Sequence, residues 1–583
     1  MRRIFRFFIV LVFLCLGMLG YYLYQAGRQE KEKKVSPVKK ENVYIEAVSG
    51  SSIQVYEEGE KRTYQISGNL GQQIIPGVAD LVVSGEQAEK IYLKPDTVSG
   101  RVLLVDDNGL ELENYGRIEF EKSLKVYRLE NGVEKADFSN IVVGYTNTRF
   151  VVANGKIQSA LIDKPIEKER AEEKIRVMIM TNNFSGYEHS KVVVSGTKAL
   201  TVTDQGITKT YKRGEKAELS PEKKAVVMAA EGGKIRLHSV KRQNRCPIYR
   251  GALEIRRSNS GYHIINELPL EEYLYSVVSS EMPTTYGIEA LKAQAVCARS
   301  YGRSQIKENK LRRYGAHVDD SVSYQVYNNI AEDKASRQAV DETRGEVVAF
   351  QGKIAMTYFY STSCGSASSS KDVWYTKDIP YLTENRTEDF SKNDVFKNFI
   401  QSTEKDCYDK TAPWYRWKVT LKREEIEKQL EAHINKRYET NPTYIRVKKG
   451  NKYTAGKPGN IGTLQKISVV RRAKSGLATT LEVKGSKKTV RIYSEYNIRL
   501  LLAGKSAVYK RKNGSDAGGL NLLPSGFFTI EQKKDNFILT GGGFGHGVGM
   551  SQCGANAMAQ AGKTYRDIIL FYYPTTEVLQ DIR

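Results

Sequence analysis

Cysteine is scarce in this chain of 583 residues: six occur, at Cys15, Cys246, Cys297, Cys364, Cys407 and Cys553, none in a CxxC spacing. No disulfide framework or zinc ribbon is written here. Cys297 and Cys553, set among alanines and glycines, read as small buried hydrophobes. Acid is short relative to base, 67 residues against 90, leaving a formal charge of +23. Such an excess fits an anionic setting: a wall polymer, a membrane surface or a nucleic acid. Nucleic acid is set aside, because neither a recognisable binding module nor a compact basic helix is present. A clean A-x-A cleavage site is also missing after the apolar N-terminal run.

That run, residues 7–27, carries no charge and is long enough to cross a bilayer as a helix. Arg2, Arg3 and Arg6 precede it, and Tyr21, Tyr22 and Tyr24 suit the far interface. Residues 1–27 are therefore expected to be an uncleaved signal anchor, a single-pass contact with the membrane, although Lys31, Lys33, Lys34, Lys39 and Lys40 follow it on the outer side. Residues 28–42 read as a polar linker. From 43 to 165, short β-branched and aromatic runs such as VYIEAV, SIQVY, RVLLV and IVVGY alternate with turn signals. Asn108-Gly109, Asn131-Gly132 and Asn154-Gly155 recur at equal spacing, each after an alternating strand, and predict hairpins in one or two small antiparallel barrels. Their ligand is not legible; a wall-binding module and a simple spacer are both open.

The charged run PIEKERAEE marks a boundary, and the remainder, 170–583, reads as one domain. It has a β-rich lead-in (170–260), a core (261–383), a groove-lining segment (384–535) and a C-terminal glycine-rich loop with helices (536–583). The fold class expected for the whole chain is α+β. Within the core, Pro283 and the small or apolar residues Ile288, Leu291, Ala295, Ala298 and Gly302 predict one long helix with Glu281 at its mouth. A carboxylate there is either an N-terminal acid facing the helix dipole or a half-buried general acid whose pKa is raised by Val277, Val278 and Met282. Farther on, Ser551 and Gln552 open a small-residue helix, and Thr564 with Asp567 predicts a capping box for YRDIILFYY.

The run LPLEEYLYSVVSSEMP followed by EALKAQAVCARSY, then SYQVYNN, TYFYSTSCGSASSSKDVW, GGGFGHGVGMSQCGANAMAQAG and ILFYYP closely resembles the SpoIID/LytB family of stage II D sporulation proteins and amidase enhancers. The resemblance covers roughly residues 170 to 580. It implies an extracytoplasmic protein of the cell wall, acting on peptidoglycan glycan strands beside a wall amidase or other wall machinery. Sporulation-type members are lytic transglycosylases whose acid is the Glu of the EMP motif, which is Glu281 here. Such an enzyme needs one carboxylate where most glycosidases need two, because the sugar's own C6 hydroxyl attacks the anomeric carbon. Glu271 and Glu272 are expected to face solvent.

Candidate substrate-binding residues are Arg299 and Tyr301 of CARSYG, Gln325 and Tyr327 of SYQVY, Ser361, Thr362 and Ser363 of YSTSCG, and His546, Gly547, Gly549, Ser551 and Gln552 of the glycine-rich loop. Their polar groups and permissive backbone suit contact with sugar hydroxyls or an N-acetyl group. Some sporulation-type members hold a structural zinc with an H…C…CQVY arrangement. Here the segment is HVDDSVSYQVY, with Asp319 and Tyr324 in the cysteine places, and His317 lacks thiolate partners. No metal and no cofactor is therefore expected. Two other readings stand beside the transglycosylase: a non-catalytic, wall-binding amidase enhancer, and a cysteine peptidase using Cys364 and His546.

Overall fold

In the computed structural model, the described residues are Met18, 36–66, 75–166, 173–384, 387–402 and 407–580. The expected membrane anchor, residues 7–27, lies outside them apart from Met18, and no helix among the described residues is long and apolar enough to cross a membrane. The expectation of an α+β chain with a transmembrane helix is corrected: strands take 39% and helices 23%, so the fold is mostly β. Much of the strand content comes from residues 417–541, where alternating segments build two five-stranded sheets. The chain divides into two compact units, Met1–Ala171 and Glu172–Arg583.

In the first unit, strands Val38–Ser49, Ser52–Glu57, Glu60–Ile66, Gly77–Ser84 and Gln87–Leu93 close a barrel, the fourth pairing back onto the first. Alternation puts Val43, Ile45, Ile53, Val55, Ala79 and Leu81 in its core. The first strand starts at Val38, inside the stretch read as linker. A second sheet follows, and each Asn-Gly pair joins two of its strands: Val102–Val105 to Gly109–Leu112, Gly116–Arg128 to Glu134–Ala136, and Thr148–Ala153 to Lys156–Ile162. IVVGY is not a strand. Ile141–Tyr145 is buried as a loop in which Gly144 turns at φ 86, since a run apolar at every position fits any fully buried backbone.

The second unit begins with a seven-stranded sheet whose last long strand, Tyr262–Pro269, runs directly into the acidic helix Leu270–Glu281. The alanine-rich helix Ile288–Glu308 follows after a short turn and packs on it. Ala290, Ala293, Ala295 and Ala298 are fully buried, so the two helices and Lys334–Glu342 approach closely. One ion pair locks them. Arg299 has no exposure, and its guanidinium donates to both oxygens of Glu271 at 2.7 Å and to the carbonyls of Glu346 (3.0 Å) and Val340 (3.3 Å). Glu271 thus turns inward, where solvent exposure was expected; Glu272 meets Arg250 at 3.3 Å.

Beyond Asn393 the chain forms a separate core in which helix Arg423–Thr440 packs through Ile426, Leu430 and Ile434 against the sheets holding Trp417, Leu481 and Leu539. Near the C-terminus the Thr564–Asp567 capping box forms and opens helix Tyr565–Tyr572.

Removing the charge of Glu271 leaves Arg299 buried and uncompensated. Glu271→Gln is expected to lower unfolding stability by about 3 kcal/mol, read from urea denaturation of the whole chain; a loss below 0.5 kcal/mol would mean that the clamp is not what holds the helices together.

Candidate active site

Glu281 is the last residue of the acidic helix, not the first acid of the alanine-rich one, which starts at Ile288 behind Gly287. The reading of Glu281 as an N-terminal acid is therefore corrected: the pattern places Pro283 in the turn between two helices. At a helix C-terminus the dipole opposes negative charge. Val277, Val278 and Met282 are buried beside it, and Glu281 itself is half-buried, crowded on most sides yet still reached by solvent. Burial pushes its carboxyl up to about 7, against two donors that favour the charged form. The Val326 N–H donates to Oε1 at 2.6 Å, and the Gln552 amide lies 3.4 Å from Oε2. Oε1 is thus tied to the backbone at short range, and Oε2 has only the longer Gln552 contact.

Three distant parts of the chain meet here. The Gln552 amide also approaches Gln294 Oε1 on the alanine-rich helix at 3.4 Å. Gln294 Nε2, Gln325 Oε1 and the Tyr273 hydroxyl are buried without a hydrogen-bond partner, and Tyr273 lies close enough to feel the Glu281 charge. Gln294, Gln325 and Tyr273 have no solvent exposure, and buried polar groups of this kind beside an acid are satisfied by internal water.

Other candidate residues shape the surroundings. Gln325 donates to the Ala298 carbonyl at 3.3 Å, and Tyr327, fully buried, donates to Asn266 at 2.7 Å. Arg299 is consumed by the helix clamp, while Tyr301 packs edge-on to Tyr358. Strand Phe359–Tyr360 pairs with Met550–Ser551, bringing Ser361, Thr362 and Ser363 against the glycine-rich loop. Thr362 Oγ1 is 3.3 Å from Cys553 Sγ, and the Cys553 N–H donates to the Ser361 carbonyl at 2.9 Å. Gly549 sits at φ 75, and a Cβ there would lie 2.1 Å from the Tyr358 carbonyl, so only glycine fits. The Gly547 carbonyl accepts from the Ser368 N–H at 2.7 Å. Ser551 caps helix Gln552–Gln560 by accepting from the Gly554 N–H.

His546 supports the loop. The Val548 N–H donates to its Nδ1 (3.1 Å), which assigns the proton to Nε2, and that nitrogen donates to the Phe359 carbonyl (3.0 Å). Desolvation lowers its pKa to about 4, so the ring is neutral near pH 7. With both nitrogens engaged and the Cys364 thiol buried and pushed up to about 12, these two residues do not make a peptidase pair. In the segment compared with the zinc-binding members, His317 Nδ1 accepts from the Arg176 N–H, and Asp319 accepts from Tyr187 and Ser321.

Asp409 was not singled out from sequence. Fully surrounded, it accepts from the Ser551 hydroxyl and from the Ser363 N–H (2.9 Å), and burial raises it to about 6. It therefore ties the residue that caps the Gln552 helix to the YSTSCG strand. Gln294 was also passed over, although it is a polar side chain on a face of alanines, which is the signal that could have found it.

The profile described as Stage II sporulation protein matches residues 258–350, and a domain of unknown function matches 368–549. Glu281 lies in the first and Asp409 in the second. Stage II sporulation protein D of Bacillus subtilis is 30% identical over 54% of this chain and 75% of its own length. An uncharacterised protein of Brachyspira hyodysenteriae is 30% identical over 57% of this chain and 72% of its own. The amidase enhancer of Bacillus subtilis is 27% identical over 52% of this chain and 40% of its own length.

A carboxyl raised from 4.5 to about 7 on folding keeps its proton in the folded state while the unfolded chain has lost it. Its contribution is thus favourable below pH 4.5 and lost as pH rises through about 7. Since the carboxyl still reaches water, Glu281→Gln is expected to be more stable than the parent by about 2 kcal/mol at pH 8 and indistinguishable at pH 4. Melting temperatures at the two pH values test this, and equal differences at both would remove the raised pKa.

Proposed function

Since the chain belongs to the stage II sporulation protein D family, we propose that it is a peptidoglycan lytic transglycosylase working outside the cytoplasm, with Glu281 as its general acid and then its base. The observation that carries this reading is a single half-buried carboxyl, raised to about 7, with one oxygen tied to the Val326 N–H. The nearby acids of the same helix are otherwise engaged, Glu271 by Arg299 and Glu272 by Arg250. One acid suffices for an intramolecular transfer, whereas hydrolysis calls for a second carboxylate to activate water.

The steps follow from that geometry. Protonated Glu281 gives its Oε2 proton to the glycosidic oxygen as the bond from that oxygen to C1 breaks. The sugar's C6 oxygen then bonds to C1 and returns its proton to the carboxylate. The strand is cut, a 1,6-anhydro ring closes one end, and the acid is regenerated without water being consumed. The Gln552 amide steadies the carboxylate between the two transfers, and the chain's excess of positive charge suits an anionic wall.

Similarity to the amidase enhancer supports a second reading, a wall-binding accessory to an amidase. Mass spectrometry of glycan strands, with and without stem peptides, separates the two. The chain is expected to release 1,6-anhydro ends, and Glu281→Gln to lose activity by at least about 100-fold. No cleavage by either form, with strands still bound, would favour the accessory. Because Glu281 must start protonated, kcat/KM is expected to fall about tenfold per pH unit above about 7. Gln552→Leu removes a donor to the carboxylate, so that midpoint should move upward; a pH profile flat from 6 to 9 in the parent would count against Glu281 as the acid.

A further inference from the structure

Trp374 is 37% exposed, yet it is firmly held. It ends a short helix, Ser370–Trp374, whose first turn is capped by the Ser369 hydroxyl, and the next residue, Tyr375, turns into the left-handed region at φ 55. The Tyr375 hydroxyl accepts from the Ser494 N–H at 2.8 Å, tying this corner to a neighbouring sheet. The indole packs at a tilt against two rings, its centroid 4.4 Å from Tyr358 and 5.1 Å from His546. A partly exposed aromatic ring fixed by its neighbours costs little entropy to use as a binding surface.

The aromatic contacts continue back toward Glu281. Tyr358 packs against Tyr301 at 6.0 Å, and Tyr324 lies close enough to Tyr301 to disfavour its ionisation. Tyr324 is half-buried and stands two residues before Val326, whose N–H holds the Glu281 carboxylate. Tyr301 is also about two helical turns, roughly 10 Å, along the same helix from Gln294, which meets Gln552 beside the acid. The strip thus starts at the acid and ends at an open indole.

Resting on the reading of the chain as a glycan-cleaving enzyme, we propose that Trp374 is a sugar-stacking platform that holds the glycan strand several units away from the bond at Glu281, with Tyr358 and Tyr324 lining the way between. The chemistry suits such a ligand. The flat face of a β-linked pyranose presents C–H bonds with slight positive charge, which complement the negative face of an aromatic ring, and no charged partner is needed. Glu281, which is partly exposed, would engage the strand at the cutting point, while the indole grips it by its face. The consequence is a preference for strands long enough to span both.

The test uses the full chain with Glu281→Gln, so that strands bind without being cut, and purified glycan strands of increasing length as probes. Binding is measured by calorimetry, with Trp374→Ala and Trp374→Phe compared after thermal melts confirm that both are folded. Trp374→Ala is expected to weaken binding of long strands about tenfold, to leave disaccharide binding within twofold, and to be largely rescued by Trp374→Phe. Equal weakening at every length, or none at any, overturns the platform while leaving the cutting reaction of the parent chain as a separate observation. No binding of any strand by the Glu281→Gln chain overturns the platform too. Cleavage by the parent then shows whether the underlying reading falls with it.

Discussion

The buried guanidinium of Arg299 is the constraint from which the site follows. A full positive charge with no exposure is tolerable only if it is paired and well hydrogen-bonded, and Glu271 together with two carbonyls takes four of its five donors. Because Glu271 belongs to the acidic helix and Arg299 to the alanine-rich one, satisfying the charge sets how the two helices lie against each other. The small residues of the second helix permit the close approach, and the ion pair selects one arrangement among those that close packing would allow. The turn between the helices is then confined, and Glu281 ends where the acidic helix stops.

The environment of that carboxyl is a balance of opposing effects. Burial and the helix end work against its charge, and the Val326 N–H and the Gln552 amide work for it, leaving a pKa of about 7. For the proposed reaction either set alone would serve poorly: unopposed burial would keep the proton too tightly, and an unopposed pair of donors would release it too early. The balance depends on residues far apart in the chain. Asp409 holds Ser551, Ser551 caps the helix that begins with Gln552, and Gln552 reaches both Glu281 and Gln294. The segment matched to a domain of unknown function therefore takes part in the site without touching the acid, by holding the loop that does.

What could be read locally was read well where the chemistry is local. Three hairpins were legible from Asn-Gly dipeptides, and at Asn154-Gly155 both residues take the left-handed backbone that this pair favours. The Thr564–Asp567 capping box involves four consecutive positions and was legible for the same reason. Errors fell where a partner decided the outcome. Glu271 looked like a solvent-facing acid because its partner lies 28 residues away. Ile141–Tyr145 looked like a strand because a wholly apolar run reports burial but not backbone shape. Glu281 was assigned to the wrong end of a helix because Pro283 was read as a helix start, when Gly287 provides it.

By itself, the sequence determined the hairpins, the small-residue helix, the family and the identity of the candidate acid, because each is carried by adjacent residues or by ordered motifs. Only the tertiary structure decided which oxygen of Glu281 the backbone holds, that Arg299 serves the scaffold, that His546 stays neutral, and that Asp409 ties Ser551 to the YSTSCG segment. Those outcomes depend on burial and on hydrogen bonds between residues tens to hundreds of positions apart. A linear pattern carries no distance between such residues, and the energy of a buried charge or an exposed ring is set by what lies within a few ångströms of it.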